Sequence, residues 1–132
     1  MKRHIAIPGG DLEHAVLLTL WELGTATTRE IHARVGEPDG LVYTTTAKVL
    51  DRLHIKGLVS RRRSGKAFVY EPTMDRKVVE GARAKSLLRA MLGGQPRPAM
   101  ATLVEAVESI DPDLVDELAR VVAARRKSRH GS

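Results

Sequence analysis

A mainly α-helical fold with a small β wing is what this sequence predicts, and three observations carry the prediction. Apolar residues recur at helical spacing through most of the 132 residues. The exception is a pair of short runs, Leu58 to Arg63 and Ala67 to Glu71, rich in Val, Phe and Tyr and joined by the hairpin connection Ser64-Gly65-Lys66. Clusters of turn residues, Gly36 to Gly40 and Gly93 to Pro98, divide the helical stretches into separate elements.

In chain order, Asp11 is the expected N-cap of a helix from Leu12 to about Leu23, with Gly24 as its stop. Leu12, Ala15, Val16, Leu20 and Leu23 form one stripe, yet Leu17, Leu18 and Trp21 lie outside it. A helix apolar nearly all round belongs in a core. Thr27-Thr28-Arg29-Glu30 spells a T-x-x-E capping box, so a short second helix starts at Thr28, with Ile31 and Val35 inward, and ends in the turn cluster from Gly36. The third helix begins between Leu41 and Thr44 and runs to Lys56. Its Thr46, Val49, Leu50 and Leu53 recur at i, i+3, i+4 and i+7, one inward face, which leaves Thr44, Thr45, Lys48, Asp51 and Arg52 outward. Then come the two strands, the second ended by Pro72. Three helices and a hairpin in this order form a winged helix-turn-helix.

Beyond Pro72 the expectation is a C-terminal three-helix region. One helix runs from Thr73 to about Leu92, the stretch from Gly93 to Pro98 is a break, and a second helix carries Met100, Leu103, Val104 and Val107. Asp111 caps the last, with Pro112 at its first position and an apolar stripe of Leu114, Val115, Leu118, Val121 and Val122. Arg125 to His130 reads as a frayed basic tail. Stripes this broad on a small domain want a partner, and a second copy of the chain is the simplest one. The organisation expected is therefore a winged helix over residues 1–72 and a helical dimerisation region over residues 73–132. Val79, Leu87, Met91, Leu103, Val107, Leu114, Leu118 and Val121 are the expected dimer contacts.

Composition narrows the function. The formal charge of +6 points to a polyanionic partner. Between Leu41 and Lys66 there are seven Lys or Arg and one acid, so this stretch carries as much net charge as the whole chain. Only Trp21, Tyr43, Phe68 and Tyr70 are aromatic, too few for the stacking platforms of single-strand or RNA binders, so duplex DNA fits better. No apolar run approaches the ~20 residues of a membrane span. The opening residues also lack the apolar core of about 7–15 residues of a secretory signal, so a cytoplasmic location is expected. The absence of cysteine excludes disulfides, thiolate catalysis and thiolate metal sites. His4, His14, His32, His54 and His130 form no His-x-x-x-His pair, and Asp11 with His14 is only an i, i+3 pair. No metal, no cofactor and no enzymatic activity are expected.

In a helix-turn-helix the second helix of the pair enters the major groove with its N-terminal residues at base edges. Tyr43, Thr44, Thr45, Lys48 and Arg52 are the residues so presented. Hydroxyls and cations can hydrogen-bond base edges or phosphates there. Arg61, Arg62, Arg63 and Lys66 on the hairpin suit the phosphate backbone. A plainer reading makes Lys48 and Arg52 solvated helix residues, and the hairpin cations guards of an edge strand.

Residues 10 to 72 resemble the penicillinase-repressor family, the BlaI, MecI and CopY type of bacterial winged-helix regulators. The resemblance lies in Asp11-Leu12-Glu13, Leu20-Trp21, Tyr43-Thr44-Thr45, Val49-Leu50-Asp51-Arg52-Leu53, Lys56-Gly57-Leu58-Val59 and Phe68-Val69-Tyr70-Glu71-Pro72. It implies a homodimer that represses transcription from a palindromic operator, with Thr44, Thr45, Lys48 and Arg52 toward DNA. Three departures stand out. Thr46 occupies a position that is usually aliphatic, which implies looser packing. Residues 73–132 contain neither the Asn-Phe bond cleaved in the penicillinase branch nor the Cys-x-Cys motif of the copper branch. The inducing signal, and any upstream sensor or protease, stay open. Two other readings also stay open, a ligand-responsive regulator of the multidrug-resistance type and a winged-helix adaptor for an acidic protein.

Overall fold

The structure, a computed structural model, describes residues 9–130. The expected lack of a secretory signal, and His4, concern residues outside that range. Helix α1 spans Asp11–Leu23, and Val16, Leu17 and Leu20 along it are fully buried. Gly10, not Asp11, precedes the helix; Asp11 lies in the first turn, where its charge complements the helix dipole. Gly24 stops it, its N–H bonding the Leu20 carbonyl.

Strand β1, Ala26–Thr27, leads into helix α2, Thr28–Ile31. Thr27 caps α2 through the expected box. Its hydroxyl accepts from the Glu30 N–H, and the Glu30 carboxylate accepts from the Thr27 N–H, which with the hydroxyl holds that carboxyl below its ordinary value. The chain does not turn away at Gly36 as expected. It continues through a widened π turn, His32–Gly36, and a 3-10 turn, Glu37–Asp39. Gly36 is buried against His32 and Thr46, where a Cβ would overlap both side chains, so its missing side chain makes room for packing as well as for a turn.

Helix α3 spans Tyr43–Ile55, with Thr46, Val49, Leu50 and Leu53 buried as the spacing predicts. It closes in a Schellman arrangement: Gly57 at φ 80° lets the Leu58 N–H reach the Leu53 carbonyl and the Gly57 N–H reach that of His54. Strands β2, Val59–Ser64, and β3, Ala67–Pro72, form an antiparallel hairpin turning at Gly65-Lys66. The sheet has three strands in the order β1-β3-β2, with Ala26 opposite Tyr70 and Thr27 opposite Val69. Its third strand is unannounced in the sequence, because two residues carry no period.

Helix α4 spans Arg76–Leu92, starting later than expected. Thr73 donates its hydroxyl to the Gly57 carbonyl at 2.6 Å and the Trp21 indole N–H donates to the Met74 carbonyl at 3.0 Å, so these residues serve as a tether. Two polar contacts join α1 to α4, a hydrogen bond between His14 Nε2 and Glu80 Oε1 at 2.5 Å and an ion pair between Asp11 and Arg83 at 3.7 Å. His14 and Asp11 thus turn to separate partners, and no group of three metal-ligating residues forms among the described residues. Val79, expected at a dimer contact, is instead 1% exposed within the core of α1, α3 and the sheet, so it has no surface to offer a second chain.

The chain divides into two compact units, Met1–Ser86 and Leu87–Ser132. In the second, helix α5 spans Pro96–Ile110 and α6 spans Asp113–His130. Pro96 and Pro98 belong to the first turn of α5 and not to the break, because the first N–H groups of a helix have no intrahelical partner to lose. The Asp111 carboxylate accepts from the Asp113 N–H at 3.0 Å, capping α6. Residues 125–130 form its last turns and not a frayed tail; Lys127, Arg129 and His130 complement the negative end of the dipole. Neither α5 nor α6 has a single buried residue. No helix among the described residues is long and apolar enough to cross a membrane.

Candidate nucleic-acid interface

Because α3 buries Thr46, Val49, Leu50 and Leu53, its opposite side presents Tyr43, Thr44, Lys48, Asp51 and Arg52 outward. The hairpin folds back beside that side. Between them lies an open groove of about 800 Å³, lined by Tyr43, Ala47, Lys48 and Asp51 from α3, by Arg61, Ser64, Lys66, Ala67, Phe68 and Tyr70 from the wing, and by Thr27, Thr28 and Arg29. Four of the expected residues therefore share one surface: Tyr43, Lys48, Arg61 and Lys66. Arg29, Thr27 and Thr28 were not among them. Their signal in the sequence, the capping box, had a complete structural explanation of its own.

The cations of this surface differ in how free they are. Arg61 is held, its Nη1 at 3.0 Å from Asp51 Oδ1 and its guanidinium 4.5 Å from the centre of the Phe68 ring. Arg63 lies 5.1 Å from the same ring, opposite Phe68 across the strand pair. Phe68 is thus clasped by two guanidinium groups. Arg62, the next residue along β2 after Arg61, faces the other side of the sheet by strand alternation and is exposed. Lys48 and Lys66 are exposed, with no ion pair among the described residues.

Arg52 is not in the groove. Its Nε lies 3.7 Å from Glu13 Oε2, on the flank of α3 that meets α1. Glu13 is only 7% exposed and also accepts from Lys56 Nζ at 2.7 Å and from the Gly9 N–H at 3.1 Å. Burial alone would raise its carboxyl, but the Lys56 hydrogen bond, the Gly9 N–H and the charges of Lys56 and Arg52 hold it below the ordinary value. Thr44 is exposed and Thr45 half-buried at the first turn of α3, outside the groove lining. Thr46 is 2% exposed, and its hydroxyl is 2.7 Å from His32 Nδ1, so the expected looseness is replaced by a satisfied polar contact.

Comparison with known proteins gives a consistent set of relatives. The family described as penicillinase repressor matches residues 9–124, well beyond residues 10–72 where the resemblance was read. The transcriptional regulator BlaI of two Mycobacterium tuberculosis strains, CDC 1551 and H37Rv, is 35% identical over 125 residues, covering 93% of this chain and 88% of the relative. Among solved structures, the DNA-binding domain of the repressor BlaI in solution is 27% identical with a TM-score of 0.50, covering 55% of this chain and 90% of that one.

Proposed function

Since this chain belongs to the penicillinase-repressor family, a family of transcriptional regulators, we propose that it is a DNA-binding transcriptional repressor acting as a homodimer on a palindromic operator. The observation that carries the reading is the groove in which Tyr43 and Lys48 of α3 meet Lys66 of the wing, a helix face and a charged hairpin addressing one surface. Tyr43 and Lys48 within the groove, and Thr44 and Thr45 outside its lining at the first turn of α3, address base edges in this reading. Arg62, Arg63 and Lys66 supply phosphate contacts, and Arg61 fixes the wing to α3 through Asp51. Arg52 reaches DNA only from the flank, along the backbone.

Residues up to Pro72 hold the DNA in this reading, and the chain from Leu87 onward holds the partner. Support for the second role is that α5 and α6 bury nothing of their own, while Leu87, Met91, Leu114 and Val121 are 40–59% exposed. Leu103, Val107 and Leu118 are half-buried. A twofold dimer would place two α3 helices in half-sites roughly 34 Å apart.

The test is selection of binding sites from random duplex DNA. Enrichment of an inverted repeat is expected, with affinity falling on a log-log salt plot by about 0.9 per phosphate neutralised. Recovery of no preferred sequence, the behaviour of an adaptor for an acidic protein, would remove the repressor reading. Sedimentation of Leu118→Glu as a monomer, beside a dimeric parent, tests the assembly; a parent that sediments as a monomer at micromolar concentration refutes it.

A further inference from the structure

Three residues from two elements converge behind the start of α3. His32 opens the π turn after α2, Gly36 ends that turn, and Thr46 sits one turn into α3. His32 Nδ1 and the Thr46 hydroxyl are 2.7 Å apart, and Thr46 is 2% exposed. A Cβ on residue 36 would overlap both of those atoms, so the pair exists only because residue 36 is glycine. Held from one edge, the imidazole meets Tyr43 edge to face, with ring centres 5.5 Å apart and planes at 75°. Tyr43 is 45% exposed, is the first residue of α3, and lines the groove between helix and wing.

We propose that His32 is a positioning residue for sequence discrimination: anchored on Thr46 in the slot left by Gly36, its ring fixes the orientation of Tyr43 at the mouth of the groove. The inference rests on the DNA-binding reading above. An exposed tyrosine on the first turn of a helix has two free torsions, and an unsupported ring would sample several rotamers. A group that must meet a base edge within hydrogen-bond distance loses discrimination when it samples several positions. The Thr46 hydroxyl, where an aliphatic side chain would have packed as well, has a purpose under this inference: it holds one ring so that the ring can hold another.

The experiment compares the full chain with its Thr46→Val and Thr46→Ser variants, using the duplex enriched from a random library by the unaltered chain and a scrambled duplex of equal composition. Valine preserves the shape of Thr46 and removes only the hydroxyl; serine retains the hydroxyl. Thr46→Val is expected to lower the ratio of cognate to scrambled affinity about five- to tenfold with scrambled binding unchanged, and Thr46→Ser to restore most of it. In DNA-free protein, the nuclear Overhauser contact between the His32 and Tyr43 rings should be present in the parent and in Thr46→Ser and lost in Thr46→Val. An unchanged ratio in Thr46→Val, equal losses in both variants, or a ring contact that persists in Thr46→Val overturns the inference. A parent with no preference for any duplex fails the repressor reading itself, and the inference falls with it.

Discussion

Replacing Glu13 with Gln should destabilise the first unit by about 1–2 kcal/mol at neutral pH, and the loss should fade in acid. The magnitude follows from what the carboxylate holds: the Gly9 N–H at 3.1 Å, Lys56 Nζ at 2.7 Å and Arg52 Nε at 3.7 Å, around a side chain only 10% exposed. Glutamine leaves one carbonyl acceptor and no charge. A hydrogen bond to a charged group contributes about 1.5–3 kcal/mol and a neutral one about 0.5–1.5, so the exchange costs about 1 kcal/mol for Lys56, with a smaller share for the weaker partners. The Lys56 side chain is 34% exposed and can turn to water, which keeps the cost below the roughly 3–5 kcal/mol of breaking a fully buried pair. Urea unfolding followed by circular dichroism at pH 7 should show a lower midpoint with an unchanged slope. The sign of the pH dependence is set by the carboxyl, which in the folded chain lies below its ordinary value of 4.5. Its contribution is complete above that value and is lost as pH falls through the lower folded one. The gap between parent and variant should therefore narrow below pH 4.5. A gap smaller than about 0.3 kcal/mol at pH 7, or one constant between pH 7 and pH 3, would refute the reasoning.

Two further outcomes follow from the groove and the slot behind it. Lys48→Ala should weaken the cognate duplex by about 1–3 kcal/mol more than the scrambled one, as the loss of a base contact does; fluorescence anisotropy at several salt concentrations reads both, and equal losses on the two duplexes with a salt slope shallower by about 0.9 would instead make Lys48 a phosphate contact. Gly36→Ala should lower thermal stability: the helical gain of about 0.5–1 kcal/mol for alanine is smaller than the overpacking cost of about 1–3 kcal/mol where the methyl meets His32 and Thr46. An alanine variant that melts at or above the parent in calorimetry would show that the slot has room to spare.

Local order was legible in the residues themselves. The capping box at Thr27 and Glu30, the inward set of Thr46, Val49, Leu50 and Leu53, the end of the third helix near Lys56 and the hairpin turn each depend on residues within one or two helical turns, or across one tight turn, of each other. Such signals survive in a linear string because the hydrogen bonds that make them are local. The basic stretch from Leu41 to Lys66 was equally plain, since charge is a property of composition.

Packing decided the rest. Val79 and Leu87 are apolar residues of one helix and both read as dimer contacts, yet the first is 1% exposed in a core and the second 59% exposed, because α4 lies against that core at Val79. Arg52 and Arg61 both read as DNA contacts, but each is drawn to an acid whose position only the fold supplies: Glu13 lies on α1, far back in the chain, and Asp51 lies across the helix-wing groove. The two-residue β1, the tether of Trp21 to Met74 and the meeting of His32 with Thr46 are likewise contacts between distant segments. Sequence by itself determined the main helices, the hairpin and where positive charge gathers, through interactions that span a few residues. Tertiary structure alone decided which of those charges remain free to bind, because a side chain's partner is set by the surface that packing brings to it.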